Sequence, residues 1–183
     1  MKNISWLCLM VFAFLVSCEE ESVDKQEIVE ELSDSLPVRV FNDVSMLYSQ
    51  NSMVRLKLEA PIQNQYENQD EDYPEGLYLE IYDSLGVKTT SLVADQGKHD
   101  VKSHKFRVKG NVVVINFVEG TKLETEVLNW DQASETIYTD TLTPVVITTP
   151  KDVINANGLT ANQDFSEYEI TGGVTGIFTL KDE

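Results

Sequence analysis

Cysteine is nearly absent from this chain: Cys8 and Cys18 are the only two, and both fall within the first eighteen residues. That excludes a disulfide framework, a cysteine zinc site and a thiol nucleophile from the body of the protein. Histidine is as scarce, with His99 and His104 alone, and there is no HExxH motif, G-x-S-x-G elbow or phosphate-binding glycine loop. Neither a metal nor an organic cofactor is expected. Positive charge is also short: 14 Lys and Arg stand against 31 Asp and Glu, a net charge of −17. Nucleic acid would be repelled over most of such a surface and is not an expected partner. So acidic a chain does leave open a pair of carboxylates facing across a cleft, as a glycosidase requires. Long apolar runs are missing too. The longest, Trp6 to Val16, is too short to span a ~30 Å hydrocarbon core as a helix.

That run follows Lys2 and ends Leu15-Val16-Ser17-Cys18. An aliphatic residue, two small or β-branched residues and then cysteine form the pattern of a lipobox, so residues 1–17 read as a lipoprotein signal peptide. Cys18 is then the acylated, palmitate-bearing first residue of the mature chain. Several acyl chains give lasting membrane attachment where one gives only marginal binding. Residues 18–37 are acidic and polar and read as a tether, with Ile28, Val29 and Leu32 as its main apolar points. The domain proper is expected over residues 38–183.

After Pro37 the chain turns to short stretches rich in Val, Ile, Leu, Tyr and Thr, separated by Gly, Asn and Asp. That pattern predicts an all-β domain. Strands are expected at 38–44, 46–49, 53–60, 76–82, 88–94, 105–117, 121–129, 136–139, 145–148, 153–159 and 168–180, with a polar loop over 63–74. The residues Leu92-Val93-Ala94, Leu123-Glu124-Thr125 and Ile154-Asn155-Ala156 share one form, and Ala94, Thr125 and Ala156 stand at equal intervals. Each copy runs on to a polar turn, at His99-Asp100, Trp130-Asp131 and Ala161-Asn162, and to a returning strand at Phe106, Ile137 or Tyr168. A hairpin with one apolar face must stack on its neighbours. The expected architecture is an elongated, twisted antiparallel β-jellyroll built from stacked hairpin repeats around an apolar interior.

Alternation assigns Leu92, Ala94, Phe106, Val108, Leu123, Thr125, Ile137, Ile154, Ala156 and Ile170 to that interior, where they are candidates to line a lipid groove. Gly110-Asn111 marks a turn or a bulge, and a bulge there would switch the parity beyond it. Lys98, Lys102, Lys105, Arg107 and Lys109 form a basic stretch in an acidic chain. Lys105, Arg107 and Lys109 share one face, opposite Phe106 and Val108. They suit the phosphates of an amphiphile whose chains lie inside, and equally a solvated hairpin face. Asp70, Glu71 and Asp72 match no calcium-loop spacing and read as a solvated loop. The tyrosines and Trp130 are too dispersed for a flat sugar-stacking face and read as core and rim.

Taken in order, Gly110-Asn111-Val112, Gly120 to Glu126, Leu128-Asn129-Trp130-Asp131, Ile137 to Asp140, Pro144-Val145 and Ile154 to Leu159 resemble the LptC-type proteins of lipopolysaccharide export. The resemblance covers roughly residues 38–180. It implies a β-jellyroll on the periplasmic face of the inner membrane. Such a protein accepts lipopolysaccharide from an inner-membrane ABC transporter complex and passes it to a jellyroll bridge protein (LptA-like) by β-strand edge pairing. It implies no enzymatic step and no bound nucleotide. The lipobox departs from the transmembrane helix of better-known members, which puts the mode of attachment in question. A carbohydrate-binding or structural envelope lipoprotein is the alternative reading.

Overall fold

A computed structural model describes residues 36–177. The signal segment, Cys18 and almost the whole tether lie outside the described residues, as does the end of the last expected strand. The fourteen strands are β1 (Arg39–Gln50), β2 (Met53–Gln65), β3 (Glu71–Tyr73), β4 (Leu77–Tyr82), β5 (Lys88–Ala94), β6 (Gln96–Asp100) and β7 (Lys105–Asn116), followed by β8 (Thr121–Asp131), β9 (Thr136–Tyr138), β10 (Pro144–Thr148), β11 (Val153–Asn157), β12 (Leu159–Asn162), β13 (Tyr168–Ile170) and β14 (Val174–Ile177). All pair antiparallel within a single 14-stranded sheet, and no helix occurs among the described residues. The jellyroll-like all-β fold expected from alternation is the fold observed.

Three strands escaped the sequence pattern. β3 lies inside the expected polar loop, β6 occupies part of an expected turn, and β12 runs past the expected strand end through the expected turn at Ala161-Asn162. The stretches expected at 38–44 and 46–49 are one strand, and the last expected strand divides into β13 and β14.

The sheet turns a corner along one line. On β7 the register slips between Lys109 and Val112, where Gly110 (φ 79°) and Asn111 (φ 45°) are both left-handed. Two residues then oppose one on β8, which is a β-bulge. Asp95 pins it: its backbone N–H donates to the Gly110 carbonyl at 2.9 Å, and Asn111 Nδ2 donates to its carboxylate at 2.6 Å. A Cβ on Gly110 would lie 2.8 Å from that carboxylate, so glycine is required by both space and φ. The expected parity switch does not fall on β7, where Val108, Val112 and Val114 are all buried. It falls on β8, where the inner residues step from Leu123 and Thr125 to Leu128 and Trp130.

On one side of this line lies a first wall: β1, most of β2, β4, β5, the second half of β7, the first half of β8, β10, β11 and β14. On the other lies a second wall: β3, β6, the first half of β7, the second half of β8, β9, β12 and β13. Strands β5–β6, β8 and β11–β12 each cross from wall to wall just after Ala94, Thr125 and Ala156, so the sequence repeat is a structural one. Its copies then place Gly97, Leu128 and Leu159 in equivalent buried positions. The pairs His99↔Phe106, Trp130↔Ile137 and Ala161↔Tyr168 repeat across the second wall. Asp100, Asp131 and Asn162 also recur, each with its side-chain oxygen accepting backbone N–H groups of the following turn.

One apolar core joins the walls. Leu58, Leu79, Val112, Val114, Leu123, Val145 and Ile147 come from the first, and Phe106, Val108, Leu128, Ile137 and Leu159 from the second. Fully burying such a side chain is worth about 1.5–3 kcal/mol, so this interface is the main source of stability.

Candidate functional site: the interior and its mouth

Of the residues assigned to the interior, Ala94, Phe106, Val108, Leu123, Ile137 and Ala156 are buried in the core. Leu92, Ile154 and Ile170 are partly buried and pack against it. Thr125 sits at the corner, where its hydroxyl donates to the Pro144 carbonyl at 2.9 Å. Leu92, Phe106, Val108 and Ile137 meet at a residual cavity of about 30 Å³, together with Leu79, Ile81, Thr90, Val114, Leu128, Trp130 and Gln163. Both walls contribute to it. An apolar cavity of roughly 150 Å³ holds a benzene ring, so this residual space is too small for an acyl chain.

The second wall also turns polar groups inward. His99 Nδ1 lies 3.2 Å from Glu71 Oε2, the Tyr73 hydroxyl donates to the same oxygen at 3.1 Å, and the Phe106 ring packs against His99 and Tyr73. The hydrogen bond from His99, with that of Tyr73, holds the Glu71 carboxyl below its ordinary range. Burial above all pushes the Tyr73 phenol far up. His99 Nε2 and Trp130 Nε1 are buried without a hydrogen-bond partner. The three adjacent acidic residues therefore separate. Glu71 points inward, Asp70 caps the Val101 N–H at 3.3 Å, and Asp72 accepts from the Tyr66 hydroxyl at 2.8 Å. No cluster able to hold a metal occurs among the described residues.

On the outer face of the second wall, Lys98, Arg107, Asn129 and Tyr138 stand in register across β6, β7, β8 and β9. With Lys105, Phe106 and the β2–β3 turn they line a cleft of about 600 Å³. Lys109 shares the exposed face but lies outside the cleft. Elsewhere lysines are matched to carboxylates: Lys57 to Glu59, Lys88 to Glu80 and Lys122 to Glu124. Lys98, Lys105, Arg107 and Lys109 make no ion pair or side-chain hydrogen bond among the described residues. The aromatics follow no single face, since Tyr73 is buried while Tyr78 and Tyr82 donate outward to Glu80 at 2.8 and 2.6 Å. Those bonds, that of Tyr82 above all, hold the Glu80 carboxyl down at about 2.

The two walls end in two rows of turns. Those of the first wall expose Met53, Leu85, Val87, Phe117 and Val118. Those of the second carry Lys102, Ser103, Gln132 and Ser134. The rows meet at the β12–β13 turn, whose Asp164 carbonyl accepts from Thr90 Oγ1 at 3.0 Å and from Asn116 Nδ2 at 2.9 Å. The sequence reading expects a polar turn here and Trp130 at the core or rim, but it assigns neither the turn's inward residues, nor Trp130, nor the first-wall residues Leu79, Ile81 and Val114 to the interior.

A long antiparallel sheet folded on an apolar interior, with no helix among the described residues, defines a jellyroll-type β protein. Comparison with protein-family models gives a match to LptC, described as lipopolysaccharide-assembly, LptC-related, over residues 5–179. The chain belongs to this family, which serves lipopolysaccharide transport in the cell envelope and is not a family of enzymes. A comparison with curated proteins finds no match. Among the described residues no helix is long and apolar enough to cross a membrane.

Proposed function

We propose that this chain is a lipid-anchored component of lipopolysaccharide export, held through Cys18 at the periplasmic face of the inner membrane. It accepts lipopolysaccharide from the inner-membrane ABC transporter, shelters the acyl chains between its two walls and passes them to a jellyroll bridge protein. The observation that carries this reading is the single apolar interior to which both walls contribute, with Leu92, Phe106, Val108 and Ile137 at its remaining cavity. The surroundings suit an amphiphile: apolar turns end the first wall, and on the outer face of the second Lys105 and Arg107 are unmatched by carboxylates and available to phosphate oxygens. Lys109 extends the same basic face.

Hand-over by strand pairing is supported by β1. It is twelve residues long, pairs with β2 alone, and leaves Val40, Leu47 and Tyr48 more than half exposed. Among the described residues its other edge has no partner, which is the arrangement a strand-adding neighbour uses. At the far end β14 pairs with β11 alone.

Photo-crosslinking in cells tests the reading. A probe at Phe106, Val108 or Ile154 yields lipopolysaccharide adducts, and one at Val93 yields none. Adducts confined to outward positions would reject the interior as the carrier site.

A further inference from the structure

The interior cannot hold an acyl chain as it stands, and the residue in the way is identifiable. Three equivalent turns, after β6, β8 and β12, join the repeat's hairpins across the second wall. In the first two the left-handed residue is the fourth, His104 (φ 55°) and Glu135 (φ 52°), and the residue before it is serine, Ser103 and Ser134, exposed in both cases. In the third the left-handed conformation moves one position earlier, onto Phe165 (φ 57°), and its ring turns inward to 1% exposure. A bulky residue rarely adopts this backbone conformation, and it persists only where the surroundings hold it.

The surroundings are polar bonds to the opposite wall. Thr90 and Asn116, buried side chains on neighbouring strands of the first wall, both donate to the carbonyl of Asp164. Asn162 accepts from the N–H groups of Ser166 and Glu167 and closes the turn from its own side. The Phe165 ring stacks on Tyr168, centroids 5.4 Å apart, and Gln163 of the same turn lines the residual cavity. The turn thus bridges the two rows where the walls meet, and its aromatic ring is buried in the core the walls share.

We infer that Phe165 occupies the position of an acyl chain, so that the β12–β13 turn is the gate under which the chain is admitted. This rests on the carrier reading above. Withdrawing the ring frees space of about the size of a benzene ring in the core that Phe165 shares with both walls, beside a turn whose Gln163 already lines the existing cavity. It also releases a strained φ. An acyl chain replaces one apolar occupant by another, so the interior never fills with water. The cost of opening the turn lowers the apparent affinity by the fraction of molecules already open.

Hydrogen exchange on the wild-type chain with and without lipid A tests this without a substitution. Lipid A makes the amides of residues 163–167 exchange faster, while the equivalent turns at 101–104 and 132–135 are unchanged. In parallel, Phe165→Gly, which removes the ring and suits the left-handed φ, binds lipid A about tenfold tighter. Leu123→Ala, which empties a fully buried core site outside the turn, does not tighten binding. Lipid A that binds while slowing exchange at 163–167, or leaving it unchanged, overturns the gate and leaves the carrier reading standing. Lipid A that binds neither wild type nor Phe165→Gly overturns the carrier reading and the gate with it.

Discussion

The two walls share β7 and β8, yet they differ in what they turn inward and in how they end. The first wall faces the interior with aliphatic residues such as Leu58, Leu79, Val114, Leu123 and Ile147 and ends in apolar turn tips. The second mixes Phe106, Val108 and Leu128 with the Glu71–His99 pair and Trp130, ends in polar turns, and carries unmatched cations on its back. The difference teaches a division of labour: the first wall supplies greasy surface, and the second supplies the polar contacts that fix register and meet a headgroup. Each prediction below sets one wall against the other.

The largest effect falls on the first wall. Leu123→Ala empties a fully buried site and costs about 2–5 kcal/mol in urea unfolding. Val93→Ala, exposed on the same wall's outer side, changes stability by less than about 0.5 kcal/mol. Equal losses at the two sites would mean that the walls do not pack as described.

Next comes the polar pair of the second wall. Because the Glu71 carboxyl is held below its ordinary range, the stability it adds is present above the ordinary carboxylate value and is lost as pH falls through the lowered one. Glu71→Gln therefore melts lower than wild type at neutral pH, by roughly 1 kcal/mol. The gap closes in acid, and a gap that widened in acid would contradict the pairing with His99.

A smaller effect of the same sign belongs to the outer face of the first wall. Glu80, held at about 2, loses its contribution only as pH falls from the ordinary carboxylate range toward that value. Glu80→Gln and wild type converge over this window, and a thermal-melt series reads it out. The smallest effects on stability are at exposed turn tips and on the second wall's outer face. Val118→Ser, 69% exposed, leaves the melt within about 0.5 kcal/mol while slowing lipopolysaccharide association. Lys105→Glu with Arg107→Glu is as neutral for the fold and flattens the salt dependence of that association.

Much of this was legible in the sequence, and the parts that were not have physical causes. The 31-residue interval between Ala94, Thr125 and Ala156 gives the stacked hairpins, while the corner that the chain crosses after each small residue has no signal of its own in the alternation pattern. Strand β6, Gln96 to Asp100, carries almost no strand-forming residues. Its neighbours impose its extended shape, and Gly97 stands where the other copies have leucine because a Cβ would meet Leu77 Cδ2. The parity switch expected beyond Gly110 lies at the right position but on the paired strand: β7 keeps its alternation from Val108 to Val114, and β8 changes its own between Thr125 and Leu128. Phe165 was missed because a polar turn reads as solvent-exposed. The one available signal was an aromatic where both earlier copies of the turn have serine.

Methyl-group NMR of the chain titrated with lipid A tests the central claim most directly. If acyl chains lodge between the walls, the methyls of Leu79, Leu92 and Val114 on one side and of Val108, Leu128 and Ile137 on the other shift together, while those of Val93 stay still. Shifts limited to Val93, Val118 and other outward methyls, with the inner set unmoved at saturation, would contradict it.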